Sequence, residues 1–314
     1  MNNTIKFSVN SQNNGKRLDV FLTENIKNHT RSFLKKLIGN KQVKLNNSKL
    51  ISPSTKVKYK DQITVDIVQK NEQYIIPKKI KLNIVFEDKD ILVLDKPKGM
   101  VVHPGAGNKS GTLLNALLHS FPELKKLPRA GIVHRLDKDT SGLMVVARNE
   151  KSLSDLSNQI SNRSAKRVYE AFTVGKIDKS GKVDAPIGRH PQNRQKQAVR
   201  TTGKEAVSHF KVLQTFGSYS HIQVTLETGR THQIRVHMNY LGYPLIGDPL
   251  YGRRRRFAKN THQKLREIIE IFPRQALHAV QLSFFNPKTK KNIVFNSKLP
   301  NDLLKLKENL IEQT

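Results

Sequence analysis

The chain has 314 residues, enough for two or three domains, and it contains no cysteine, which excludes disulfide bonds and thiolate catalysis. Its 56 lysines and arginines against 25 acidic residues give a formal net charge of +31, which attracts polyanions. Nucleic acid is therefore the predicted partner. No transmembrane helix is expected, because no run of about eighteen apolar residues is present, and a membrane surface is not expected as a partner, because no strongly amphipathic basic helix stands out.

Residues 16–69 are predicted to form a small helix–helix–hairpin domain. The segments RLDVFLTENI and TRSFLKKLIGNKQ each repeat apolar residues at helical spacing. The following segment, VKLNNSKLI, is predicted to be two short strands around Asn46 and Asn47, residues that tolerate the positive φ of a tight hairpin. The positions expected to face the core are Leu18, Phe21, Leu22 and Ile26 in the first helix and Leu34, Leu37 and Ile38 in the second.

This first segment resembles the S4 RNA-binding domain. The resemblance is carried by Arg17-Leu18-Asp19, RSFLKKLI, GNKQVKLNN and KYKDQITV. It implies that the cationic side of the second helix faces folded RNA, where lysine and arginine position phosphates without reading sequence. An ordinary solvated helix face is the alternative interpretation. The candidate RNA-binding residues are Arg31, Lys35, Lys36, Lys41 and Lys44.

The rest of the chain is divided into a linker at residues 70–82, a large domain at 83–300 and a C-terminal helix or tail at 301–314. Short strand-like runs such as DILVLDKP, LMVVAR and SHIQVTLETG alternate with a few helices in the large domain. This mixture predicts an α+β fold around a mixed, largely antiparallel sheet. The start of the chain has no signal-peptide pattern, so a cytoplasmic location is expected, and a monomer is expected.

One polar segment of the large domain, HRLDKDTSG, stands between the apolar runs GIV and LMVVAR and is predicted to be a loop held between strands. Asp139 is followed by Thr140 and Ser141, short polar side chains that are typical of turns. Asp137 follows the apolar Leu136 and is therefore the better candidate for chemistry. The alternative is that both aspartates only stabilise the turn.

The segment AGIVHRLDKDTSGLMVVARN resembles the motif of the RluA family of pseudouridine synthases, in which Arg-Leu-Asp carries the catalytic aspartate. Further similar segments follow the family's order, and they cover residues 16–300. They are LDKPKGMVVHPGAGNKSGTLLNALL, KRVYEAFTVG with Tyr169, LETGRTHQIRVHMNYLGYPLIGDPLYG with Arg235, and RQALHA with Leu277. Within the family, HRLDKDTSGLMVVA and FPRQALHA are most similar to the RluD-like branch, which modifies large-subunit ribosomal RNA.

The resemblance implies isomerisation of uridine to pseudouridine, without a cofactor or a metal ion. It makes Asp137, Tyr169 and Arg235 the catalytic residues, with Leu277 flooring the base pocket. Arg235 would oppose the rise in pKa that burial imposes on the aspartate. Arg135 is expected to enter the space that the extruded base leaves, where a guanidinium stacks on bases.

Three other sequence patterns are weaker indications of function. HPGAGNKSGT lacks the glycine that a P-loop needs directly before Lys-Ser, and His232 and His237 do not have the spacing of paired metal ligands on a helix. GRRRRFAKNTHQK, from Gly252, is interpreted as an RNA-contacting loop.

Three functions are consistent with the sequence. The first is a pseudouridine synthase acting on ribosomal RNA or a pre-ribosomal large subunit, with another RNA as the alternative substrate. The second is a ribosome-assembly factor that binds RNA without modifying it. The third is a hydrolase of a glycosidic bond, which would normally need two carboxylates.

Overall fold

The computed structural model describes residues 2–26, 31–68, 75–105, 107–252, 257–258 and 261–313. It divides into two compact units, Met1–Ile75 and Ile76–Thr314. The division falls inside the segment 70–82 taken above as a linker, of which residues 70–74 lie outside the described residues. Among the described residues, no helix combines the length and the apolar character that crossing a membrane requires.

The first unit packs two helices against a three-stranded antiparallel sheet of order β1-β3-β2. The apolar positions predicted for the two helices are all buried in one core with Val43, Ile63 and Val65. Burial of these side chains is the main stabilising contribution to so small a unit. The elements are β1 Asn2–Ser8, α1 Leu18–Asn25, α2 Arg31–Gly39, β2 Val43–Leu45 and β3 Gln62–Val68.

The first unit differs from the prediction at two places. The unit begins before residue 16, because β1 pairs along its whole length with β3. Asn46 and Asn47 have the predicted positive φ, 49° and 65°, but no second strand follows them. Instead β2 pairs with β3, and the turn closes through a single bridge between Leu45 and Ser48.

The second unit is built on a nine-stranded sheet of order β4-β5-β6-β13-β7-β12-β11-β8, with β14 added at β13. Among the described strand pairs of this sheet, β6–β13 is parallel and the others are antiparallel, so the mixed, largely antiparallel sheet is confirmed. A separate two-stranded sheet joins β9 and β10. The strands are β4 Ile84–Glu87, β5 Ile91–Lys96, β6 Ser141–Ala147, β7 Lys166–Val174, β8 Gly181–Asp184, β9 Ile187–Arg189, β10 Gln197–Val199, β11 Val207–Phe216, β12 Tyr219–Leu226, β13 Leu277–Phe285 and β14 Asn292–Asn296.

In the described part of the second unit, five α-helices accompany this sheet, and the last of them belongs to its core. Leu303, Leu306 and Leu310 of the terminal helix are buried with Phe172 of β7, so residues 301–313 are an integral part of the second unit. The helices are α3 Leu113–Ser120, α4 Glu150–Ser161, α5 Gln233–Tyr240, α6 Gln263–Ile271 and α7 Asn301–Glu312.

The aspartate loop, residues 132–140, is held at both ends by close backbone contacts. Before it, the chain forms a 3-10 turn at Pro128–Gly131 and one bridge between Ile132 and Val146, rather than the strand suggested by the apolar run. After it, Gly142 has φ of +116°, and a Cβ there would lie 2.4 Å from the carbonyl oxygen of Ala279. Only glycine allows this approach of β6 to β13.

Candidate active site

A cleft of about 620 Å³ opens in the second unit where the aspartate loop meets β7 and the start of α5. All five residues assigned above to the catalytic and base-binding site line this cleft, although they are spread over more than 140 positions of the sequence. They are Arg135, Asp137, Tyr169, Arg235 and Leu277. The fold therefore brings the whole predicted group to one concave surface.

Asp137 lies at the base of the cleft and is held by Arg235. The Nη1 atom of Arg235 donates a hydrogen bond of 3.0 Å to Oδ2 of Asp137. The Asp137 side chain is 15% exposed, and that of Arg235 is 4% exposed. The guanidinium therefore holds Oδ2 of Asp137 by a charge-assisted hydrogen bond, and it makes no bond to Oδ1.

A second carboxylate, which the sequence analysis missed, fixes the arginine. Asp248 accepts hydrogen bonds from Arg235 Nε at 2.7 Å and from Arg235 Nη2 at 3.0 Å. Asp248 Oδ1 also accepts the backbone N–H groups of Leu250 and Tyr251. Burial works against the charge of Arg235, but Asp248 and Asp137 together raise its pKa above the usual value. The arginine is therefore a fixed cation between two anions.

Tyr251 and His232 form a further group beside the aspartate. Tyr251 Oη accepts the backbone N–H of Gln197 at 2.8 Å and lies 3.0 Å from His232 Nδ1. His232 Nε2 lies 3.9 Å from Asp137 Oδ1. Burial lowers the pKa of His232, although the charge of Asp137 opposes the shift. If the neutral His232 ring accepts a hydrogen bond from the Tyr251 hydroxyl at Nδ1, its own proton is on Nε2. That N–H group then faces Asp137.

Tyr169 and Leu277 form the apolar wall of the cleft. They lie on the adjacent strands β7 and β13 and are 5% and 4% exposed. Burial raises the pKa of the Tyr169 phenol; Arg167 opposes this shift and Asp137 adds to it. The phenol is therefore neutral at physiological pH.

The mouth of the cleft is cationic. Arg135 is exposed there, and burial together with the charges of Arg129 and Arg135 lowers the pKa of His103 to about 4. Arginines far outnumber carboxylates in the described part of the lining, where the acids are Asp137 and Glu227. Such a surface attracts a phosphate backbone.

Lys96 is a second residue that the sequence analysis missed. Its side chain is buried, and Nζ donates to the carbonyl oxygens of Pro97 at 2.8 Å, Met100 at 2.9 Å and Lys138 at 3.0 Å. Burial lowers the pKa of Lys96 to about 7, while the charges of Asp139 and Asp137 oppose the shift. The lysine thereby joins β5 to the aspartate loop.

Asp139 contributes to the loop through its backbone. Arg274 Nη1 donates to the carbonyl oxygens of Asp139 at 3.1 Å and of Leu277 at 3.0 Å. The backbone N–H of Thr140 donates to the carbonyl oxygen of Asp137, which closes the turn. The aspartate loop is therefore tied to β13 as well as to β5.

The candidate RNA-binding residues of the first unit fall into two groups. Arg31 and Lys35 are both bonded to Oδ2 of the buried Asp19, at 2.8 Å and 3.3 Å. Burial alone would raise the pKa of Asp19, but hydrogen bonds from Arg17, Arg31 and Lys35 hold it well below its usual range.

The other three, Lys36, Lys41 and Lys44, have no ion pair within the described part of the chain. Lys36 and Lys41 are exposed, and Lys44 is half-buried. The arginine run 253–256, interpreted above as an RNA-contacting loop, lies outside the described residues. Within the described ranges, no three histidine, aspartate or glutamate residues are grouped so that they could hold a metal ion.

Comparison with known proteins identifies relatives along nearly the whole chain. Residues 90–240 match the family model described as RNA pseudouridylate synthase. The chain is 45% identical over 300 residues to "Ribosomal large subunit pseudouridine synthase D" of Vibrio parahaemolyticus, covering 96% of this chain and 92% of the relative. It is 47% identical to the protein of the same name from Pseudomonas aeruginosa, covering 92% and 90%.

Solved structures show the same fold at lower identity. "Human RNA Pseudouridylate Synthase Domain Containing 4" matches with a TM-score of 0.57 at 24% identity, over 73% of this chain and 92% of that chain. "Human RNA Pseudouridylate Synthase Domain Containing 1" matches with a TM-score of 0.55, also at 24% identity, over 72% and 86%. These likenesses agree with the observed architecture of the second unit.

Proposed function

The chain belongs to the RluA family of RNA pseudouridine synthases, and from this membership we propose that it isomerises uridines of large-subunit ribosomal RNA in the cleft around Asp137. The main support for this site is the contact between Asp137 Oδ2 and Arg235 Nη1. The contact lies inside a cleft that Tyr169 and Leu277 also line. The relatives named for the large ribosomal subunit support the choice of substrate.

The reaction breaks the N1–C1′ bond of uridine, turns the uracil and joins C5 to C1′; the proton on C5 is lost and N1 gains one. Nothing is oxidised and no group is released. Asp137 acts through Oδ1, the oxygen that Arg235 does not hold, either as a nucleophile at C1′ or as the base and electrostatic partner of a cation-like sugar. Both routes require an ionised carboxylate in a fixed position, and the hydrogen bond from Arg235 fixes the position of Asp137.

The uracil reaches Asp137 only after it leaves the RNA stack, which costs a few kcal/mol, offset by contacts in the pocket. Tyr169 and Leu277 form the apolar surface on which the extruded base packs. The exposed Arg135 at the mouth of the cleft fills the vacated position in the stack.

The cleft favours this reaction over hydrolysis of a glycosidic bond. Glu227, the only other acid in the lining as described, is bonded to Arg163 and His209. Asp248 is fully buried beneath Arg235. Neither carboxylate is therefore available as the second acid that most glycosidases use.

The first unit is proposed to be an S4-like anchor for RNA, on the support of its two helices and the exposed cations of α2 and the following turn. The protein is proposed to act in the cytoplasm, as a monomer and without cofactor or metal ion. Mapping pseudouridines in ribosomal RNA from cells that lack the protein identifies the substrate positions.

The proposed site is tested by comparing the wild-type protein with Asp137→Asn on ribosomal RNA transcripts. We expect isomerised uridine with the wild type only, and similar RNA affinity for both, because the substitution removes a charge and little volume. Tight binding of unchanged RNA by the wild type would indicate a binding factor, and release of free uracil would indicate a hydrolase. Turnover by Asp137→Asn near the wild-type rate would exclude Asp137 as the catalytic carboxylate.

A further inference from the structure

Arg167 is a buried cation that has little to bind within the protein. It lies on β7, lines the cleft and is 5% exposed. Its Nη2 donates one long hydrogen bond, 3.3 Å, to the carbonyl oxygen of Glu227. Its Nε is buried without an acceptor. In the described part of the chain, no carboxylate forms an ion pair with it.

The two other buried arginines in the described part of the second unit are each paired with a carboxylate. Arg235 holds Asp248 at 2.7 Å, and Arg274 holds Asp302 at 2.8 Å. A guanidinium that is withdrawn from water costs free energy unless an anion or several acceptors compensate it. Arg167 lacks this compensation, and it lies in a cleft that receives substrate.

Gly229, which also lines the cleft, lies beside the Arg167 guanidinium and contributes no side chain that would cover it. A Cβ at position 229 would lie 2.6 Å from Nη1 of Arg167, so any side chain there would cover or displace the guanidinium. Arg230 follows and also lines the cleft; its Nε binds the carbonyl oxygen of Glu205. Arg167 and Arg230 therefore both line the cleft next to a position without a side chain.

We infer that Arg167, with Arg230 beside it, binds the RNA phosphate next to the extruded nucleotide. The inference rests on the proposed function, because it takes RNA as the ligand. Phosphates carry the full negative charges of RNA, and arginine binds them through paired N–H donors. Tyr169 lies two residues further along the same face of β7, about 7 Å away along the strand, which is close to the distance between neighbouring nucleotides.

The experiment uses a ribosomal RNA fragment that the wild-type protein modifies, so failure of the proposed function is detected first and separately. Phosphates around the target uridine are replaced one at a time by uncharged methylphosphonate. Binding is measured with Asp137→Asn, which does not turn over, and with the same chain carrying Arg167→Gln. With Arg167 present, one replacement weakens binding about tenfold; with Arg167→Gln, that same replacement has no effect.

Gly229→Ala provides an independent variant that keeps the arginine. Gly229 does not have a positive φ, so the backbone accepts alanine, and the new Cβ covers or displaces Nη1 of Arg167. We expect it to remove the same position-specific effect, which also preserves the test if Arg167→Gln is poorly folded. Arg266→Gln, an exposed arginine of α6 outside the cleft, is the charge-matched control and should keep the full effect.

Two results would overturn the inference. One is that every single phosphate replacement weakens binding to the same extent with and without Arg167→Gln. The other is that Arg167→Gln slows isomerisation while leaving all binding constants unchanged, since the guanidinium would then act on the uracil.

Discussion

Arg235 holds both oxygens of Asp248 with Nε and Nη2, so that only Nη1 reaches Asp137. The position of the candidate catalytic carboxylate is thus set by an ion pair that does not itself face the substrate. The pair is almost completely buried, with side-chain exposures of 4% and 0%. Removing one partner of such a pair leaves an uncompensated charge and is strongly destabilising.

We therefore expect Asp248→Asn to lower the free energy of unfolding by about 3 kcal/mol and the isomerisation rate by about 100-fold, because Arg235 loses its fixed orientation. Urea unfolding and single-turnover assays measure the two effects. Asp155→Asn, which breaks an ion pair with Lys290 away from the cleft, is the control and should leave the rate unchanged. An unchanged rate in Asp248→Asn would show that Asp137 does not depend on this pair.

The Tyr251 hydroxyl is expected to fix the tautomer of His232. Tyr251→Phe keeps the ring that lies 5.1 Å from the Arg235 guanidinium but removes the hydroxyl bonded to Nδ1. We expect an isomerisation rate about tenfold lower with unchanged RNA affinity. The nitrogen NMR signals of His232, assigned by their loss in His232→Gln, should shift between wild type and Tyr251→Phe. Identical signals in the two proteins would rule out this role.

Lys96 is expected to make stability depend on pH. Its pKa is about 7 in the folded chain, against 10.5 as the ordinary value, so the unfolded chain binds more protons between these limits. Its contribution to the free energy of unfolding should therefore rise with pH across this window, by about 1.4 kcal/mol per pH unit. Urea unfolding of the wild type and of Lys96→Met across the window measures the difference. Parallel pH curves would contradict the shifted pKa.

Substitutions of the cationic residues of the first unit are expected to separate effects on RNA binding from effects on stability. Lys36→Gln and Lys44→Gln should weaken RNA binding and each reduce the salt dependence of log Kd by about one unit, with stability unchanged. Arg31→Gln should also destabilise the unit, because the buried Asp19 loses a partner. Titrations at several salt concentrations and thermal unfolding separate the two outcomes. If the lysine variants keep the wild-type salt dependence, Lys36 and Lys44 do not contact phosphate.

Local patterns predicted much of the first unit. Helical spacing placed Leu18, Leu22 and Leu34 in the core, and all three are fully buried. The strand β1 was not predicted, although Ile5, Phe7 and Val9 alternate with polar residues, and its pairing with β3 joins segments about sixty residues apart. Such pairing depends on tertiary contacts that periodicity does not report.

The sequence predicted some residues of the candidate site and did not predict others. Asp137 and Arg235 were identified through the family motifs, since no spacing rule joins residues 98 positions apart. Lys96, Asp248 and Arg167 were not identified, because a lone charge in a sequence is usually solvated. What distinguishes them is that their side chains are buried in the folded chain, and which groups contact them there depends on the tertiary structure.

The contact of Gly142 with the backbone of Ala279 has a consequence for engineering. This contact sets how closely β6 approaches β13, the strand that carries Leu277 of the cleft, whereas the groups that would recognise RNA are side chains. A redesign toward a different nucleotide context can therefore exchange lining residues one by one, provided that position 142 remains without a side chain.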